Sequence, residues 1–121
     1  MKLKKLSQDF SVCKISNMKE MDFGQEIFFL CKTDQELSLV CETSKVPPQA
    51  LEAEHGWKAL RIEGILDFGM VGVIAQISGI LAKSSISLFV VSTFNTDYIL
   101  LKAPQYENAI QCLLQEGYEV N

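Results

Sequence analysis

The order of hydrophobic periods after Trp57 constrains this chain more than any other feature. Residues 57–63 alternate, which puts Trp57, Ala59 and Arg61 on one face of a strand and Lys58, Leu60 and Ile62 on the other. Residues 70–83 change to helical spacing, with Val71, Ile74, Ile77, Ile80 and Leu81 on one side. Residues 86–93 read as an apolar strand, Phe94-Asn95-Thr96-Asp97 as a turn, and residues 98–102 as the returning strand. Pro104 opens a last helix whose apolar side is Tyr106, Ala109, Ile110, Leu113 and Leu114. Gly117 ends it, and residues 118–120 form an edge strand.

This order is β-α-β-β-α-β, so the predicted class is α+β with a ferredoxin-like unit over residues 56–121. Residues 1–55 look like a shortened copy. Strands are expected over residues 8–16, 26–32 and 37–43, with Thr33-Asp34-Gln35-Glu36 as a hairpin turn. Val46-Pro47-Pro48 then breaks the sheet, and residues 48–54 suit a short helix ended by His55-Gly56. The expected organisation is thus a βββα unit followed by a βαββαβ unit. The strands at residues 26–32, 37–41, 86–93 and 98–102 are apolar on both faces. Their second face needs cover from the other unit or from a second chain.

Composition excludes several function classes. The chain has 11 basic and 15 acidic residues, evenly spread, and Arg61 is its one arginine. Nucleic-acid binding relies on clustered lysine and arginine, which this sequence lacks; Lys2, Lys4 and Lys5 read as a solvated terminus. No apolar run reaches the roughly 18 residues of a membrane helix, and residues 1–10 lack a signal-peptide core. Cys13, Cys31, Cys41 and Cys112 are far apart among apolar residues, which suits reduced, buried thiols in a cytoplasmic protein. With zinc spacings absent and His55 the sole histidine, no metal and no cofactor is expected. His55 itself reads as an exposed cap rather than a catalytic base.

The chemistry concentrates in residues 63–77. A strand ending at Gly64 leads through an acidic loop into an apolar helix. First-turn amides have no intrahelical partner and carry partial positive charge, so an anion can bind there without a basic side chain. Gly69 and Gly72 permit close approach to the backbone. The alternative is an ordinary βα junction whose glycines serve packing. In the hairpin segment, Asp97 can accept hydrogen bonds from an ammonium, Thr93 and Thr96 add hydroxyls, and Phe94 can wall an apolar stem. These residues could equally do no more than turn the hairpin.

The runs Gly64-Ile65-Leu66-Asp67-Phe68-Gly69-Met70-Val71-Gly72 and Ser92-Thr93-Phe94-Asn95-Thr96-Asp97 resemble the ACT domain family. More narrowly, they resemble small double-ACT proteins similar to the aspartokinase regulatory domain and to cytosolic arginine sensors. The resemblance is strong over residues 57–117, and residues 10–14 and 36–41 suit the first, shortened unit. It implies a non-catalytic regulatory module that binds a small amino acid at an interface between ACT units, in a homodimer. Backbone amides around Gly69, Met70 and Val71 would hold the ligand carboxylate. Thr93, Phe94 and Asp97 would contact its amino end and side chain. Asp67 carries over with them, or caps the helix instead. An acylphosphatase-like hydrolase is disfavoured because residues 65–72 contain no phosphate-gripping arginine. An oligomerisation module without a ligand is the remaining alternative.

Overall fold

A computed structural model describes residues 1–64 and 71–121. Its elements run β1 (Lys2–Lys5), β2 (Phe10–Ile15), β3 (Phe28–Lys32), β4 (Leu37–Glu42), β5 (Glu52–Ile62), α1 (Val73–Ala82), β6 (Phe89–Ser92), β7 (Asp97–Lys102), α2 (Ala103–Gln115) and β8 (Glu119–Val120). Single 3-10 turns lie at Met18–Glu20 and Thr43–Lys45. The chain divides into a first unit, Gln8–Trp57, and a second unit, Met1–Ser7 with Lys58–Asn121. The long β5 gives its first half to one and its second half to the other.

The second unit is α+β, with strand order β6-β7-β5-β1-β8. β1 pairs antiparallel with β5 and parallel with β8, so it lies between the first and last strands of the βαββαβ pattern. This strand replaces the solvated terminus expected from the lysines. Leu3 is fully buried while its lysine neighbours are exposed, as alternation on a half-buried strand requires. One sheet face carries Leu3, Leu60, Ile62, Ile99 and Leu101, packed against Ile77 and Leu81 of α1 and Tyr106, Ala109, Ile110 and Leu113 of α2.

Helix α1 runs from Val73, behind Gly72 at φ 80°. Val71 therefore lies outside the helix and is 91% exposed instead of joining its apolar side. A residue in left-handed geometry breaks the helical backbone, and Gly72 adopts it without a Cβ penalty. At the other end, α2 has Pro104 in its first turn and Gly117 at φ 91° just past its last, as expected. Strand β6 is shorter than predicted. Residues 86–88 lie outside it, although Ile86 is buried and Leu88 packs on the core.

The first unit has strand order β3-β4-β2-β5. Its core face joins Cys13, Ile15, Leu39 and Cys41 to Met21, with Val46 and Ala50 partly buried against them. The helix expected at residues 48–54 does not form. Glu52, Ala53 and Glu54 pair instead with Lys14, Cys13 and Val12, and His55 and Gly56 lie inside β5. A seven-residue helix is marginal in water, and strand pairing outweighs its propensity. The register of β5 on β2 shifts between Phe10 and Val12, beside Gly56 at φ 87°.

Burial also corrects part of the cysteine reading. Cys13 and Cys41 are buried, Cys112 is half-buried, and Cys31 is exposed on β3. Burial pushes the Cys41 thiol up to about 12 and raises that of Cys13, so both favour the neutral form.

Candidate functional site

The hairpin joining β6 to β7 is held by its own threonines. The Thr93 amide donates to the Thr96 carbonyl at 2.8 Å, and the Thr93 hydroxyl donates to the same carbonyl at 2.9 Å. The Thr96 amide approaches Thr93 Oγ1 at 3.3 Å. The Thr93 hydroxyl is thus engaged in closing the turn. Thr96 is buried, and its hydroxyl donates to the Ile62 carbonyl at 2.7 Å. Ile62 is the last residue of β5, where the chain leaves for α1. One side-chain hydrogen bond therefore ties the hairpin turn to the same end of the second unit as the strand-to-helix connection.

Asp97 is the first residue of β7, and successive strand residues point to opposite faces. Ile99 and Leu101 belong to the helix-side core, so Asp97 shares the face that carries α1. Helix α1 begins at the same end without a side-chain cap and with no acidic residue in its first turn. Its Gly72 carbonyl accepts from the Gln76 amide at 2.9 Å, leaving the preceding first-turn amides without an intrahelical acceptor. A half-buried carboxylate and an uncapped helix N-terminus thus occupy one end and one face of the unit. Their charges are complementary to the ammonium and the carboxylate of a zwitterion.

Phe94, at the tip of the turn, is 80% exposed, and Val71 is exposed at the helix entry. Thr93 is also exposed. Asp67, Gly69 and Met70 lie outside the described residues.

The opposite face of this end holds a group that the strand pattern did not single out. The Arg61 guanidinium lies 6.0 Å from the centre of the Tyr98 ring, with Nε 3.6 Å from Glu63 Oε2. Hydrogen bonding with Tyr98 holds Arg61 in its charged form. The alternation of residues 57–63 carried part of this signal, since it put Arg61 on the face opposite Leu60 and Ile62. In the first unit, buried Ser11 bonds His55 Nδ1 at 2.7 Å and Thr43 Oγ1 at 2.9 Å. The sole histidine is exposed, as expected, but it lies in a strand. Among the described residues, no group of three or more His, Cys, Asp or Glu could hold a metal ion. No helix among them is long and apolar enough to cross a membrane.

The βαββαβ unit, with both helices on one sheet face, is a ferredoxin-like architecture. The ACT domain family matches residues 52–115, more than half of the chain, and the chain belongs to that family. Over 64 residues it is 41% identical to the human "Cytosolic arginine sensor for mTORC1 subunit 1". That stretch is 50% of this chain and 20% of the sensor. A solved protein from Agrobacterium tumefaciens shares the fold at a TM-score of 0.86 and 26% identity, covering 99% of this chain and 91% of that one. The putative C-terminal regulatory domain of aspartate kinase from Porphyromonas gingivalis aligns at a TM-score of 0.59 and 18% identity, covering 93% and 92% of the two chains.

Proposed function

We propose that this chain is a non-catalytic, cytoplasmic module that senses a small amino acid at the α1 end of its second unit. The observation that carries this reading is the Thr96–Ile62 hydrogen bond, which brings the Asp97 hairpin to the end of the sheet where α1 begins. The ligand carboxylate docks on backbone amides around Gly69, Met70 and Val71, and its ammonium on Asp97. Thr93 shapes the turn, Phe94 walls the ligand stem, and Asp67 lines the loop. L-Arginine is the first ligand to try, because the 41% identical relative is named an arginine sensor. A ligand of this size needs most of its surface buried, and exposed Phe94 and Val71 leave the site open on one side. A second copy completes it, giving a homodimer.

The test is a thermal-shift screen of the whole chain against the twenty amino acids. A ligand present at about 100 times its Kd stabilises a fold by about 2.7 kcal/mol, a shift of several degrees for a domain of this size. One or two amino acids should raise the midpoint, and Asp97→Ala should abolish the rise while the unliganded midpoint stays nearly unchanged.

A second reading, an oligomerisation module without a ligand, draws support from β6. Among the described residues this strand pairs only with β7, and no charged residue occurs in residues 84–96. Open edge strands are commonly blunted with lysine or proline, and β6 has neither. Concentration-dependent dimerisation with no amino-acid response would select this reading.

A further inference from the structure

The first unit has its own concavity on its sheet. The hollow has a volume of about 440 Å³ and is floored by β2, β4 and the first residues of β5. Cys13, Ile15, Leu39 and Cys41 take the core face, so alternation turns Val12, Lys14 and Ser38 to the other side. Register then fixes their neighbours. Lys14 stands between Ser38 on β4 and Glu52 on β5, and Val12 stands beside Glu54. Glu36, from the β3–β4 hairpin, closes one side and accepts a hydrogen bond from Ser38. The lining therefore combines one ammonium and three carboxylates around a small apolar floor.

The second unit handles the matching place differently. There Arg61 is neutralised internally, with the Tyr98 ring beneath it and Glu63 beside it. Ser38 stands in the first unit where Tyr98 stands in the second, each being the second strand residue after its hairpin. A hydroxymethyl in place of a phenol leaves the space above Lys14 open. Lys14 and the three carboxylates line the same hollow, so both signs of charge face it together.

We propose that this hollow is a binding site for a basic α-amino acid, with its carboxylate at Lys14 and its cationic groups among Glu36, Glu52 and Glu54. The volume lies within the 300–1,000 Å³ range typical of small-molecule sites. The excess of carboxylates favours a ligand of net positive charge, and Lys14 distinguishes an amino acid from a plain amine. The site is separate from the Asp97 end of the second unit and does not depend on it.

The test is an amide-resolved NMR titration of the full-length chain with L-arginine and with agmatine, its decarboxylated analogue. L-Arginine should move the amides of Val12, Lys14, Ser38, Ala53 and Glu54, with agmatine at least about tenfold weaker. Lys14→Met should weaken L-arginine to the level of agmatine, and Glu52→Gln with Glu54→Gln should weaken both ligands. Asp97→Ala should leave these shifts in place, which separates this site from the one in the second unit. Amides that stay still up to about 10 mM L-arginine would overturn the proposal. So would equal affinity for agmatine, since that marks a generic cation groove.

Discussion

The two units build the same hairpin and use it differently. In the first, Phe29 pairs with Val40 and Leu30 with Leu39; in the second, Phe89 pairs with Leu100 and Val90 with Ile99. Each turn opens with a threonine whose amide donates to the carbonyl three residues on, Thr33 to Glu36 at 2.9 Å and Thr93 to Thr96 at 2.8 Å. Register, turn and core positions therefore coincide. What differs is the residue at the start of the returning strand, Leu37 in one and Asp97 in the other. The first unit also lacks an α-helix, so a carboxylate at position 37 would have no helix N-terminus to work with. A scaffold set by backbone pairing survives changes at its hairpin end, whereas a zwitterion site needs the helix and the carboxylate together.

The largest test of that contrast is core truncation. Leu101→Ala removes a fully buried side chain packed under both helices, and should cost about 2–5 kcal/mol in urea unfolding. Leu39→Ala, which removes a fully buried side chain from the core of the first unit, falls in the same range. Because its cover is turns rather than helices, the sheet has fewer neighbours to lose, and the loss should be the smaller of the two.

Alkaline pH separates the two cores by chemistry. The Cys41 thiol rises from its ordinary 9.0 to about 12, chiefly because burial penalises the thiolate. The folded state then holds a proton that the unfolded chain gives up. This contribution is complete below pH 9.0 and is lost as pH climbs towards about 12. Tyr106 is also raised to about 12 by burial, in the second unit, and adds loss above its ordinary 10.0. Urea midpoints at pH 8 and above pH 10 should fall steeply for the wild type and less steeply for Cys41→Ala.

Thr96→Val removes the bond to the Ile62 carbonyl and should cost about 1–3 kcal/mol, the range for leaving a buried polar group unsatisfied. It should also weaken any amino-acid response, since it frees the hairpin from the end of β5. The smallest effects belong to the shared turn. Thr33→Ala and Thr93→Ala should each cost about 0.5–1.5 kcal/mol and should match one another in thermal unfolding. A large inequality would show that the two hairpins are alike in geometry but not in energetics.

Much of the fold was legible because periodicity is local. The alternation of residues 57–62, the helical spacing from Ile74 to Leu81, the Pro104 start and the Gly117 stop could be read one segment at a time. Three features were not local. The segment at residues 48–54 is a tolerable short helix on its own, and only pairing with β2 makes Glu52, Ala53 and Glu54 a strand. Lys2–Lys5 has one apolar residue, and its place between β5 and β8 depends on residues far along the chain. Gly72 sets Val71 outside α1, whereas the apolar spacing placed it inside, because left-handed backbone geometry leaves no mark on hydrophobic period.

By itself, then, the sequence determined the class of the fold, the hairpin, and the family to which the chain belongs. Tertiary structure decided which groups meet. The meeting of the Asp97 hairpin with the end of β5 rests on the Thr96 hydroxyl reaching a carbonyl 34 residues earlier. The open ground above Lys14 exists because Ser38, across the register from it, is small. Side-chain type is written in the chain, but distance between side chains is set by strand register, which is a property of pairs of segments.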